Sequence, residues 1–362
     1  MSTLTIRSIR CTPVEVPMKH ALGTSRAVIR AAPLMLIDLE TEEGVVGRAY
    51  LFCYMRAAAV GIAAIVAEVE RLVKGQGLDP EAQFAALSKR FTLIGVQGMV
   101  RMALSGFDMA AWDALAIAAG KPLASLLGAT ASSIRAYNSN GLGLMEPAAL
   151  ADEASELLEG GFAGLKLRLG HATLGEDLAA LHAVRDRVGS GVEIMVDYNQ
   201  ALSVAEAMKR GRALDAEGVY WLEEPIRHDD YRGAARLAMA LATPVQIGEN
   251  FSLPAAMEEA LEHGACDFVM PDLERIGGVT GWRQAAAIAA GRGIPMSSHL
   301  FPEASAHLLA ATPTAHWLEY VDWAGAILEE PLAIVNGAAI LPKRPGLGLA
   351  WNREAVERYR IA

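Results

Sequence analysis

Three acidic residues, Asp197, Glu223 and Glu249, recur at intervals of 26, each shortly after a short apolar run. One strand plus one helix fills such an interval, so the three would end adjacent parallel strands. Carboxylates converging on one volume repel each other unless a cation sits between them. All-oxygen ligation with open positions suits Mg²⁺, which keeps water or substrate oxygens in its octahedron. One Mg²⁺ on these three residues is the expectation.

Lys166 and Arg168 are two apart on another such run and share a face. Two cations inside a barrel are costly unless anions lie opposite, and the three carboxylates supply them. Asp272 and His299 end two later runs. A carboxylate beside an imidazole fixes its tautomer and raises its basicity, as a general base requires. His307 and His316 read as structural. Glu224, next to Glu223, should face away from the metal and act as a structural partner. An ordinary strand–loop boundary explains any one of these charges. Eight successive strand ends with a polar or charged residue, from Ser139 to Glu319, point to a shared site.

Those ends need a scaffold. Eight strand candidates run from 134–137 through 164–167, 193–196, 219–222, 244–247, 268–270 and 294–298 to 317–318, with helical patterns between most of them. This grammar predicts an α/β fold, a closed (β/α) barrel with its site at the carboxyl ends of the strands. A doubly wound sheet would show a glycine-rich phosphate turn after its first strand, which Asn138-Ser139-Asn140-Gly141 is not. The first third differs: strands at 3–17 and around a Thr41–Gly44 turn precede helices near 55–74, 80–91 and 98–119. The expected organisation is an α+β capping domain over 1–128, a barrel over 129–330 and a C-terminal segment over 331–362. Beyond about residue 320 the chain reads as loop and a short basic tail.

Composition narrows the class. The chain has 362 residues, 52% hydrophobic, with net charge −10, enough for a large core and the wrong sign for attracting nucleic acid. Three scattered cysteines make no disulfide framework, and no apolar run is long enough to cross a bilayer. A cytoplasmic protein without nucleic-acid or membrane partners is expected.

The strings Met195-Val-Asp197-Tyr198-Asn199-Gln200, Trp221-Leu-Glu223-Glu224-Pro225, Gly248-Glu249-Asn250, Met270-Pro-Asp272 and Pro295-Met-Ser-Ser-His299 closely resemble the mandelate racemase subgroup of the enolase superfamily. The resemblance runs essentially end to end. It implies a (β/α)7β barrel with an α+β cap, a homo-oligomer, and Mg²⁺ stabilising the enediolate formed when a carboxylate substrate loses its α-proton. It also implies that Lys166 neutralises the substrate carboxylate, Glu319 donates a hydrogen bond to it, and Ser139 and Asn199 contact the substrate. Leu22, Ile29 and Tyr54 would cover the mouth from the cap, with His20, Arg26 and Arg30 in the same region. One departure stands out. Members of this subgroup usually carry Lys-x-Lys, the second lysine serving as a second base, where this chain has Lys166-Leu167-Arg168. Arginine, with a pKa above ~12, is a poor base. The first expectation is racemisation of a 2-hydroxycarboxylate. The alternatives are an acid-sugar dehydratase using His299 alone and a non-catalytic binding protein.

Overall fold

Apolar residues on strands of unequal length build the first layer. The computed structural model describes residues 4–25 and 27–361. β1 (Ile6–Gly23), β2 (Val28–Thr41) and β3 (Val46–Phe52) form an antiparallel sheet in that order. The Thr41 hydroxyl clamps the β2–β3 turn, accepting from the Val45 N–H at 3.0 Å. α1 (Arg56–Val73) buries Ala59, Ile62, Val66, Val69 and Val73, the spacing of one helical face. α2 (Pro80–Arg90) starts at Asp79, whose carboxylate accepts from the Ala82 N–H. α3 (Met99–Ala118) is buried over most of its length and packs on β3 and α1, and the short α4 (Leu123–Leu126) leads out of the cap.

The first strand extends beyond the expected 17. After a register break, pairing resumes at Leu22↔Ile29 and Gly23↔Val28. The cap element that carries Leu22 and Ile29 is therefore a β-hairpin. Gly143 lets it dock, since a Cβ there would stand 2.6 Å from the Gly23 nitrogen. The expected start of the strand at residue 3 lies outside the described residues.

From residue 133 the order is β4 (Ser133–Asn138), α5 (Pro147–Leu157), β5 (Gly164–Arg168), α6 (Leu174–Val188), β6 (Glu193–Asp197), α7 (Val204–Leu214), β7 (Trp221–Glu223) and α8 (Tyr231–Ala240). There follow β8 (Val245–Ile247), α9 (Pro254–Glu262), β9 (Phe268–Val269), α10 (Leu273–Ile276), α11 (Gly278–Arg292), α12 (Pro302–Ala310) and β10 (Leu318–Tyr320). β4 to β9 pair in parallel in sequence order, and β10 returns to pair with β4. The expected seventh strand at 294–298 makes no continuous ladder. It is stitched in by bridges Val269↔Met296, Asp272↔His299 and Met296↔Ala315. Pro271 and Pro295 lack N–H donors, which shortens the pairing there. Even so, Ser297 N–H reaches Val269 at 2.8 Å and Ser298 N–H reaches Trp317 at 3.0 Å, which closes the barrel.

Tyr137, Met195, Trp221 and Trp317 fill the barrel interior beneath the strand ends as a small buried cluster of their own. That plug leaves the opposite, carboxyl end for chemistry. The C-terminal segment is not loop. β11 (Ile334–Val335) and β12 (Ala338–Ile340) form a hairpin on the barrel strand β4, with Asn336 and Gly337 at positive φ in the turn. α13 (Arg353–Tyr359) then packs on β1, and Trp351 Nε1–H donates to Asp38 at 2.9 Å. Part of 331–362 thus belongs to the barrel and part to the capping sheet. Among the described residues no helix is long and apolar enough to cross a membrane.

Candidate active site

Asp197 and Glu223 are the last residues of β6 and β7, and Glu249 follows β8 by two. Gly248 makes the last placement possible: its φ is +142°, and a Cβ would meet the Met270 nitrogen at 2.8 Å. One oxygen from each of the three carboxylates lies within 4.8 Å of the others. Asp197 and Glu223 are fully buried. Burial pushes the Glu223 carboxyl up to about 8 against the opposing pull of Lys166, and burial also raises Asp197. Two buried carboxylates and a half-buried third, with Lys166 as the one fixed cation bonded to them among the described residues, leave a net negative charge that fits a hard divalent cation.

Lys166, from β5, reaches Glu319 at 2.6 Å, Glu223 at 2.8 Å and Asp197 at 3.5 Å. Burial works against its charge, but these carboxylates outweigh it and hold the ammonium protonated. His299 Nδ1 lies 2.6 Å from Asp272, whose other oxygen caps α10 by accepting from the Glu274 and Arg275 N–H groups. Its Nε2 faces the cluster, 3.3 Å from Glu249. Burial lowers the imidazole's affinity for a proton, yet Glu249, Glu319 and Asp272 together push it up to about 9.

Several of the expected site residues also hold one another. Arg168 does share the interior with Lys166, but its guanidinium is committed to the β4 loop. Nη1 donates to the Gly141 carbonyl at 2.7 Å, and Nη2 to the Ser139 carbonyl and hydroxyl at 3.0 Å each. Ser139 in turn donates to Glu319 at 2.7 Å, so its hydroxyl is held within the protein rather than free for substrate. Glu319 accepts here rather than donating: Lys166, Ser139 and the Leu300 N–H all donate to it. Burial alone would raise its carboxyl, but Lys166 and His299 pull it down to about 2. Asn199, at φ +44°, turns back on the metal cluster and donates twice to Asp197, at 2.7 and 2.9 Å. It positions that carboxylate, while its own Oδ1 is buried without a hydrogen-bond partner among the described residues.

On the cap, Leu22 is buried and pairs with Ile29 in the hairpin. Tyr54 accepts from Arg275 at 2.5 Å and packs on Phe52. His20 bonds to Glu153 on α5, tying the hairpin to the barrel rather than facing a ligand. Arg30 is exposed, and Arg26 lies outside the described residues.

Three contributors escaped sequence reasoning in whole or part. Asn250 Nδ2 donates to both oxygens of Glu224 at 3.0 Å and to Glu249 at 3.1 Å. Glu224 is therefore a structural partner, as expected, but a fourth acid beside the cluster rather than one facing away. Burial, then the Glu249 charge, pushes its carboxyl well up. Arg275 grips the Glu249 carbonyl at 3.2 Å and the Asn250 side chain at 2.5 Å. The tandem Glu223-Glu224 and the Asn250 directly after Glu249 were the available signals.

Residues 5–128 match the N-terminal domain of the mandelate racemase/muconate lactonizing enzymes, and 149–355 match the enolase C-terminal domain-like family. The chain belongs to the enolase superfamily, in the mandelate racemase/muconate lactonizing enzyme family. It is 31% identical to the L-talarate/galactarate dehydratase of Salmonella typhimurium over 96% of this chain and 88% of that one. An enolase from Bradyrhizobium complexed with magnesium and mandelic acid superposes with a TM-score of 0.95 at 42% identity, covering all of both chains. The L-talarate dehydratase of Polaromonas, complexed with Mg and L-glucarate, does so at 0.90 and 29%, over 99% of this chain and 98% of that one. This family member is an Mg-dependent enzyme of that superfamily.

Proposed function

We propose that the protein is a hydro-lyase that converts an acid sugar, a 2,3-dihydroxycarboxylate, into its 2-keto acid. Asp197, Glu223 and Glu249 would hold the Mg²⁺, which when bound supplies positive charge to the substrate carboxylate as the α-proton leaves. Lys166 adds the charge of an ammonium fixed between Glu319 and Glu223. His299 Nε2 takes the α-proton, and Asp272 holds the Nδ1–H so that Nε2 is the basic nitrogen. The His299 imidazolium then returns a proton to the departing β-hydroxyl, releasing water and an enol that tautomerises to the keto acid. One group on one face serves both transfers.

The carrying observation is the state of Arg168. Racemisation needs proton-transfer groups on opposite faces of the α-carbon, and the position of the subgroup's second lysine holds a guanidinium tied to Ser139 and Gly141. It is a fixed charge, not a base. The dehydratases among the relatives support the same reading. The relative with bound mandelic acid favours racemisation as the second reading. Proton NMR with a panel of acid sugars and both mandelate enantiomers decides between them. A 2-keto product from an acid sugar is the expected result. Interconversion of the mandelate enantiomers with no keto acid formed would overturn it.

A further inference from the structure

The short helix α10 stands between the cap and the acid–base pair, and its side chains reach both. Asp272, its N-cap, lies 2.6 Å from His299 Nδ1. Two residues on, the buried Glu274 accepts from the N–H of Phe52, the last residue of β3, at 3.1 Å. Arg275 spans the same gap. Its Nη1 donates to the Glu249 carbonyl at 3.2 Å and to Asn250 Oδ1 at 2.5 Å, and its Nη2 donates to the Tyr54 hydroxyl at 2.5 Å. A guanidinium can only donate, so it selects the oxygen end of the Asn250 amide. The Nδ2 end is thereby aimed at the carboxylates, reaching Glu249 at 3.1 Å and Glu224 at 3.0 Å. Arg275 therefore fixes Glu249 twice, directly through its backbone and through Asn250 at its side chain.

Charge and backbone point the same way. Burial would raise the Glu249 carboxyl, but His299, Arg275 and Lys166 outweigh it and hold it below the usual carboxylate range. The guanidinium also lies 5.1 Å from the centroid of the Tyr54 ring, so ring and hydroxyl both engage it. Tyr54 sits at φ +61°, a costly conformation for an aromatic residue that only surrounding contacts sustain. Those contacts are Arg275 and the Phe52 ring, 4.4 Å away between centroids. The cap segment 52–54 is thus fastened to α10 at two residues, next to the metal ligand.

We propose, on the reading that Asp197, Glu223 and Glu249 hold the Mg²⁺, that Arg275 is a positioning residue for Glu249 and that Tyr54 of the cap is its second anchor. The Tyr54 hydroxyl holds the guanidinium where both bonds to the 249–250 segment form, so the cap takes part in setting metal affinity. The choice between dehydration and racemisation does not enter.

Calorimetric titration of the metal-free protein with Mg²⁺ tests this without turnover. Tyr54→Phe keeps the ring against Phe52 and removes only the hydroxyl. Its urea midpoint should stay near that of wild type while Mg²⁺ affinity falls at least ~3-fold, the lower end of what one hydrogen bond contributes. Arg275→Met should lose at least ~10-fold, and Arg275→Lys, which keeps a charge and a donor, should recover part of that loss. In the Arg275→Met background Tyr54→Phe should cost nothing further, because the hydroxyl acts through the guanidinium. A Tyr54→Phe loss of the same size in both backgrounds would overturn the proposal. So would unchanged Mg²⁺ affinity in Tyr54→Phe, whether or not Arg275→Met folds. A wild-type protein that binds no Mg²⁺ would overturn the ligand assignment and the proposal with it.

Discussion

Arg168 Nη2 lies 3.0 Å from both the carbonyl and the hydroxyl oxygen of Ser139. The guanidinium that replaces a second basic lysine therefore fastens the loop after β4. That loop also meets the cap hairpin, where the Leu144 N–H donates to the Gly23 carbonyl. The residue at the position of the subgroup's second base thus holds the scaffold around the site.

Exchange of the α-proton in D₂O should accordingly be one-sided. The enantiomer presenting its proton to His299 should exchange, and its mirror image should be slower by at least ~10²-fold, the lower bound of what a positioned base contributes. Arg168→Met should leave the Ser139 and Gly141 carbonyls without donors and destabilise the fold by ~1–3 kcal/mol. Proton NMR on each enantiomer and urea unfolding check the two halves. Equal exchange of both enantiomers would show that the face opposite His299 carries a working base.

His299→Asn should reduce turnover by ~10²–10⁴-fold, with the metal cluster still intact. Asp272→Asn should cost a comparable amount by a different route, since an amide no longer fixes the Nδ1–H tautomer. Asp272→Ala should lose at least as much, because an imidazole held only through Glu249, 3.3 Å from Nε2, would carry its proton on the nitrogen that must accept one. Single-turnover rates separate these chemical effects from substrate binding.

The barrel was legible because its strands are short apolar runs at β/α spacing, and the carboxylates ending them kept one register. Strand seven was harder, since Pro271 and Pro295 remove donors from the rows that would have paired. The hairpin at Asn336-Gly337 was missed although that dipeptide is a strong turn signal, because its strands have only two and three residues. Residue types at the site were readable, but hydrogen-bond direction was not. That Ser139 and Lys166 both donate to Glu319, and that Asn199 folds back on Asp197, depends on loop backbone that no spacing encodes.

Chelation should abolish turnover and lower the unfolding temperature, because three mutually close carboxylates lose the cation that offsets them. Glu249→Gln should weaken Mg²⁺ by at least ~10-fold, a loss of ~1.4 kcal/mol, in calorimetric titration and reduce turnover with it. Full activity in the presence of a chelator would remove the metal from these residues.

The final prediction concerns stability and pH at a histidine remote from the chemistry. His307 accepts from the Ala124 N–H at Nδ1 and sits 3.3 Å from the Leu347 carbonyl at Nε2, joining α12 to the α4 turn and the C-terminal segment. Burial depresses its pKa to about 4. In the unfolded chain it titrates near ~6.5. Between those values the unfolded state takes up a proton that the folded state refuses, so stability is present above pH ~6.5 and is lost as pH falls toward ~4. The full contribution is about 3 kcal/mol at ~1.36 per pH unit. His307→Gln keeps an acceptor and a donor without the titration, so its urea midpoint should fall less than wild type's between pH 7 and 4.5. Comparing the two proteins cancels Asp108 and Asp113, whose carboxyls burial raises to about 7 and which shift stability the other way. Parallel curves for the two proteins would mean that His307 carries no such linkage.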